Sequence, residues 1–212
     1  MLVQSFNSDL SCRILELYFE IDRQTSEFQS ATGLCCPPGC GQCCDSTTPE
    51  ATVIELLPAA QELFSRGEAQ QWLEHLASIR ETEKCILYQP DPLILGNGCC
   101  QLYLWRPSIC RLFGFGAMKN RDGELELVTC GRQKKEKPFA IKAVQEAISG
   151  RISAPSFDYS SLQIATLEPS LGRQRLPINQ SLQLALERYG LTIQLLEANS
   201  RGARSQLNGG YN

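Results

Sequence analysis

Ten residues, Cys35-Cys36-Pro-Pro-Gly-Cys40-Gly-Gln-Cys43-Cys44, hold five of the eleven cysteines of this 212-residue chain. From Thr32 to Thr48 the sequence is rich in Gly, Pro and Cys, and no regular element fits it. Such a stretch needs an external organiser to become ordered, and a bound metal supplies one. Thiolates two or three residues apart reach around one ion because the chain between them turns tightly. Further cysteines stand at Cys85, at the doublet Cys99-Cys100, at Cys110 and at Cys130. The pattern points first to metal, not to a catalytic pocket.

How the thiols are used depends on compartment. Met1 to Asp9 shows neither a positive n-region nor an apolar h-region, and no apolar run approaches the roughly 18 residues of a membrane helix. The expected location is therefore the cytosol or a cytosol-like lumen. There, thiols serve metal or redox chemistry more readily than disulfides. An odd number of cysteines also leaves one unpaired in any disulfide scheme. A disulfide-linked interaction module is the alternative for an exported protein. A formal charge of −3 argues against a broad nucleic-acid footprint.

Apolar spacing predicts a helix over Ser8–Phe28, capped by Ser8, with Leu10, Ile14, Leu17, Tyr18 and Ile21 on one face. Cys12 on that helix reads as a buried small hydrophobe. Thr48 to Leu57 is ambiguous between an extended entry and a first helical turn. A helix from Pro58 to about Ser65 follows, broken at Arg66-Gly67, and a second runs over Glu68–Glu81 with Trp72, Leu73, Leu76 and Ile79 inward. His75, the sole histidine, borders that face as a surface or half-buried residue. Short strands are expected over Lys84–Gln89 and Cys100–Leu104, then a helical turn opened by Pro107. A strand over Glu124–Thr129, with Leu125, Leu127 and Thr129 on one face, delivers Cys130. Helices are expected from Lys137-Pro138 to Ile148, over Ser156–Leu167 and over Ile178–Glu187, with Gly190 interrupting the last before a final turn over Leu191–Ala198. The basic stretch from Arg132 to Lys137 reads as a solvated face.

The fold class expected is α+β, mostly α-helical: an irregular Cys-rich, metal-centred core with a short β hairpin and flanking helices. Its parts are an N-terminal helix (1–31), a cysteine-cluster domain (32–150), a C-terminal helical extension (151–198) and a disordered tail (199–212).

Zinc takes four thiolates tetrahedrally, and iron–sulfur clusters are also commonly held by four cysteines. Cys36, Cys40, Cys43, Cys44, Cys85, Cys100, Cys110 and Cys130 are the candidate ligands, with Cys35 and Cys99 as alternates in their doublets. Eight suffice for two four-thiolate sites, or for one cluster and a mononuclear metal. In an extended segment Cys43 and Cys44 point to opposite sides and serve different centres, whereas a tight turn brings both to one metal. Four thiolates on a divalent ion leave −2, which Arg106 and Arg111, bracketing Cys110, could offset.

The run Cys36-(three residues)-Cys40-Gly-Gln-Cys43-Cys44, then Lys84-Cys85-Ile-Leu, then Cys100-Gln-Leu-Tyr-Leu-Trp-Arg106-Pro107-Ser-Ile-Cys110-Arg111 resembles the YkgJ-type cysteine-cluster family. The resemblance spans about Cys35 to Cys130. It implies a zinc- or iron-chelating domain, of a kind often labelled Fe–S oxidoreductase. The family pattern usually has two residues between its first two cysteines, against three between Cys36 and Cys40 here. A similar cysteine domain occurs in flagellin lysine methylases, but nothing in this chain points to that substrate.

Two functions follow. One is a soluble metal-binding protein with a structural, metal-handling or assembly role and a protein partner. The other is an iron–sulfur oxidoreductase or radical-type modifying enzyme with an electron donor. No zinc-protease helix motif, phosphate-cradling glycine loop or nucleophile elbow accompanies the cysteines. Glu55, Asp91 and Tyr103 are the residues available for acid–base work. Tyr103 and Trp105 read as packing shields for the centre.

Overall fold

A computed structural model describes the backbone of residues 2–46, 49–79 and 84–208, and side chains for 9–45, 49–79 and 84–199. Thr48 and Glu81, two of the element ends expected above, lie outside the described residues. The helices are α1 (Leu2–Thr32), α2 (Gln42–Ser46), α3 (Leu57–Ser65), α4 (Ala69–Ser78), α5 (Ser108–Leu112), α6 (Gly131–Glu136), α7 (Pro138–Ile148), α8 (Phe157–Leu167), α9 (Pro169–Gly172) and α10 (Ile178–Asn208). The strands are β1 (Glu50–Thr52), β2 (Tyr88–Pro90), β3 (Gly98–Cys100), β4 (Ala117–Lys119), β5 (Leu125–Leu127) and β6 (Arg175–Pro177). They form three antiparallel pairs, β1–β6, β2–β3 and β4–β5. The protein is therefore a mostly α-helical α+β fold.

The main core is where α1, α3 and α10 meet. Leu10, Ile14, Tyr18 and Ile21 recur three to four residues apart on α1 and are all buried, facing Leu57, Ala60 and Leu63 of α3 and Leu182, Ala185 and Leu186 of α10. Leu17 is only half-buried. α1 begins before Ser8, which lies inside the helix and not at its cap. Cys12 is exposed; its neighbour Ser11 takes the buried place beneath Ile14. A second, smaller core joins Phe28 and Leu34 to Phe115, Leu127, Val144 and Ile148.

Gly190 does not interrupt the last helix. A Cβ there would come within 2.9 Å of the Phe64 ring, so the glycine is a close-approach point between α10 and α3. The helix continues unbroken to Asn208, past the start of the tail expected to be disordered. Just before it, β6 pairs with β1 in the register Glu50↔Pro177, Ala51↔Leu176 and Thr52↔Arg175. Ser181 Oγ donates to the Ala51 carbonyl at 2.8 Å. Residues 175–186 thus close the same core that α1 and α3 build.

Other boundaries move for local reasons. The hairpin is displaced from the two expected strands: Cys85 sits in a turn whose carbonyl accepts from Tyr88 N–H, and Tyr103–Trp105 form a 3₁₀ turn. Gly98 fixes the pairing, since a Cβ there would meet the Tyr88 ring at 2.4 Å. Pro107 is the N-cap of α5, not its first residue. In β5, Leu127 is buried but Leu125 is exposed, so the expected alternation covers only Leu127 and Thr129.

One buried carboxylate anchors the element that carries Cys110. Glu55 accepts from Thr52 N–H at 2.8 Å, Thr52 Oγ1 at 2.9 Å and Ser108 N–H at 3.1 Å, and also from Ser108 Oγ. Tyr18 Oη donates to the Glu55 backbone carbonyl at 2.7 Å, which adds α1 to the clamp. Glu55→Ala strands these donors in a dry site and should lower unfolding free energy in urea by about 3 kcal/mol. Glu55→Gln keeps one of the two acceptor oxygens, and so one of the two pairs of donors, and should cost less than Glu55→Ala. Equal losses in the two variants would show that the clamp is not what stabilises the site.

Candidate metal centre

The Cys-rich loop is organised by backbone pairing with the hairpin. Gly41 N–H donates to Gly96 carbonyl at 3.1 Å, Gly98 N–H to Gly39 carbonyl at 2.9 Å, and Cys40 bridges Asn97 as a third strand would. Gly39 has φ +70°, a left-handed conformation that lets Pro38 turn directly into Cys40. After this bridge the chain winds into α2, where an irregular stretch was expected. Cys43 and Cys44 are therefore successive residues of a helix, about 100° apart around its axis, and not on opposite faces of a strand. Their sulfurs lie 4.0 Å apart.

Both sulfurs line one cavity of about 210 Å³ together with Cys85, Cys100 and Cys110. Cys85 comes from the turn before β2, Cys100 ends β3, and Cys110 lies on α5. Cys36, Cys40 and Cys99 line it as well, while α1 contributes Thr25 and Gln29 and the apolar wall includes Leu87, Phe113 and Phe115. All eleven cysteines are free thiols. Among the described residues, no three His, Cys, Asp or Glu side chains converge closely enough to hold an ion as placed. The sulfurs ring the space without closing on a point.

The two arginines differ. Arg111 is buried over the Tyr18 ring, 4.3 Å from its centroid, and paired with Asp22; its remaining N–H groups donate to the carbonyls of Arg106 at 2.8 Å and Leu104 at 2.5 Å. Its bonds go to scaffold, not sulfur. Arg106 lies 3.9 Å from the Tyr103 ring centroid and 3.9 Å from Asp22, and its buried Nε has no partner. Thr25 Oγ1, equally buried, also lacks one. Tyr103 lines the cavity and is exposed, whereas Trp105 lies under Arg66 and is not part of the lining. His75 is exposed against Trp72.

Burial governs the thiols. It pushes Cys85 up to about 12 and raises Cys110 and Cys100, with neighbouring thiols adding to the effect. Cys43 goes the other way. A hydrogen bond from Cys44 lowers it to about 6 against the burial penalty, helped by backbone N–H groups and Arg106. The same bond raises Cys44 well above the ordinary thiol range.

Cys130 lies outside this cavity. It caps α6, its Sγ accepting Gln133 N–H at 3.3 Å while the Gln133 side chain accepts Cys130 N–H at 3.3 Å. With Cys35, Cys36 and Cys40 it lines a separate pocket of about 10 Å³. Arg132 Nη1 lies 3.6 Å from Cys40 Sγ, and Lys137 Nζ lies 3.5 Å from Cys35 Sγ. Lys134 and Lys135 are solvated as the basic stretch suggested, but Arg132 and Lys137 turn back to sulfur. The legible signal for Arg132 was its i,i+4 pairing with Glu136, which makes the run helical.

Residues 34–131 match the family model CxxCxxCC, described as "Putative zinc- or iron-chelating domain". This segment is similar to that family's domain. Its bounds enclose every cysteine except Cys12. No curated protein and no solved structure matches the chain. The domain is thus a metal-binding cysteine cluster of the zinc- or iron-chelating class. Among the described residues no helix is long and apolar enough to cross a membrane. The donor set suits such a metal: soft thiolates from four elements surround one space, beside an arginine nitrogen and a hydroxyl left without partners.

In the reduced, metal-free chain the Cys43–Cys44 pair should lose its first proton near pH 6, seen as thiolate absorbance and as the pH profile of alkylation at Cys43. Cys44→Ala and Arg106→Ala should each move that inflection upward. Because Cys43 is held below its reference value of 9.0, its contribution to stability is complete above that pH and is lost as pH falls through about 6. An inflection unchanged in both variants would remove Cys44 and Arg106 as its cause.

Proposed function

We propose that the chain is a metal-binding protein in which Cys43, Cys44, Cys85, Cys100 and Cys110 supply the thiolates of its main centre. Cys36 and Cys40 line its cavity and a smaller pocket alike, and Cys130 lines only the smaller one. The observation that carries the proposal is that these five cysteines, from separated parts of the chain, line one 210 Å³ cavity. Arg106 would offset part of the thiolate charge, and Arg111 would hold the cavity wall through Asp22 and α1. A bound zinc or iron would supply a soft Lewis-acidic, thiolate-ligated centre. The protein's own contribution is to gather the sulfurs, exclude water with Phe113, Phe115 and Leu87, and place a cation beside them.

A structural or assembly role fits the scaffold. The loop from Cys35 to Cys44 has few apolar anchors, and metal tying it to Cys85, Cys100 and Cys110 would add directly to folding free energy. The cavity's size supports a second reading. A single ion needs the room of one water, roughly 10–15 Å³ on the same measure. A 210 Å³ space suits a multi-atom iron–sulfur cluster, as an oxidoreductase or radical-type modifying enzyme would need.

Metal and acid-labile sulfide should be measured, with a visible spectrum, on protein purified without oxygen. Iron with sulfide and a brown chromophore supports the cluster; zinc without colour supports the structural role. Cys43→Ser and Cys110→Ser should each lower metal content and stability together. Full metal stoichiometry in both would sink the ligand assignment.

A further inference from the structure

Ten cysteines line two spaces beside the Cys-rich loop. Eight of them line the large cavity. Cys130 is screened from it and faces Cys35, Cys36 and Cys40 in a pocket of its own. Cys36 and Cys40 line both spaces, and the large cavity keeps Cys43, Cys44, Cys85, Cys99, Cys100 and Cys110 without them.

We infer that Cys35, Cys36, Cys40 and Cys130 form a second, separate site for one zinc-class divalent ion, with Arg132 and Lys137 as its charge partners. The inference rests on the proposed metal-binding function and extends it by a centre.

Three observations carry it. The first is size: about 10 Å³ admits a single atom and excludes a cluster, so this pocket and the large cavity call for different occupants. The second is the donor set, which reaches four only with Cys35. That thiol stands directly before Cys36, and four thiolates are what a closed tetrahedral zinc site requires. The third is charge. Four thiols that bind a divalent ion release four protons to solvent and leave a net −2. Two cations already stand on these sulfurs: Arg132 Nη1 is 3.6 Å from Cys40 and Lys137 Nζ is 3.5 Å from Cys35. The Gln133 N–H that donates to Cys130 Sγ is the kind of outer hydrogen bond that orients a thiolate ligand. The large cavity draws on a different cation, Arg106. An ion here would pin α6, and so the end of the family domain, to its first cysteines.

The test is anaerobic titration of the reduced, metal-free full-length chain with Zn²⁺ alone. Bound zinc is counted by mass spectrometry after desalting, and thiolate-to-metal charge transfer is followed in a parallel Co²⁺ titration. Cys130→Ser should bind one zinc fewer than the unmodified chain and keep the metal that Cys110→Ser loses. The double variant Arg132→Ala, Lys137→Ala leaves every sulfur in place; it should keep the stoichiometry but bind one zinc about 10-fold more weakly. It decides the matter if Cys130→Ser fails to fold. Undiminished zinc in Cys130→Ser, or unchanged affinity for every zinc in the double variant, overturns the second site. Metal lost in Cys110→Ser but not in Cys130→Ser leaves the proposed function standing and removes only this extension. A chain that takes up no metal at all fails both.

Discussion

Crowded, half-dry sulfur is the constraint on which the rest of this structure depends. Taking a thiol out of water disfavours its charged form, and each neighbouring thiolate disfavours it further. Cys36 is pushed to about 11 and Cys85 to about 12 by that combination, and Cys110 is raised as well. A metal ion reverses the sign of the argument, because its charge favours the thiolates that burial penalises. Protons must leave as it binds, so affinity should rise with pH across the neutral range. Cys43 is the exception that gives the centre an entry point. It is ionised first, on α2 at the end of the Cys-rich loop.

The elements opposite the loop are held independently of any ion. Glu55 fastens α5 through Ser108, Arg111 fastens it to α1 through Asp22, and Tyr18 lies beneath both contacts. Cys110 is thus mounted on a scaffold continuous with the α1–α3–α10 core. Cys36, Cys40, Cys43 and Cys44 ride on a loop held chiefly by backbone bonds to a two-stranded hairpin, and such hairpins are marginal by themselves. The asymmetry suits a centre that one rigid wall presents and one soft wall closes.

The sequence made the centre legible because cysteine spacing is local chemistry. It also made legible the helices whose apolar residues recur at 3.6, such as α1, α3 and α7. What it missed depended on partners distant in the chain. Gly190 looks like a break until Phe64 is placed against it. β1 and β6 are three-residue strands, visible only as a pair. Cys43 and Cys44 part in an extended chain and meet in a tight turn, and their spacing alone allows both; α2, stabilised where Cys44 and Asp45 N–H groups return to the Gly41 carbonyl, brings both to one cavity. Arg111 looked like a sulfur partner, but its carboxylate, Asp22, lies 89 residues away. Arg132 looked solvated for the converse reason, since Cys40 lies 92 residues away.

The same placements bear on whether side chains could perform acid–base chemistry beside the sulfurs. Glu55 spends its carboxylate on Thr52 and Ser108 and cannot reach the cavity without undoing α5. Asp91 accepts the N–H groups of Leu93 and Ile94 at 2.8 and 3.1 Å and so shapes the hairpin tip. Tyr103 lies beneath Arg106, and His75 is on the outer face of α4. Each residue the sequence offered as an acid or base is thus committed to structure or turned away. If this cavity supports a reaction, its reactive groups are the thiolates and whatever they hold, with Arg106 as the one cation beside them among the described residues whose Nε still lacks a partner. Catalysis would then depend on electron or group transfer at the centre itself, and a purely structural centre would leave Arg106 nothing to do but balance charge.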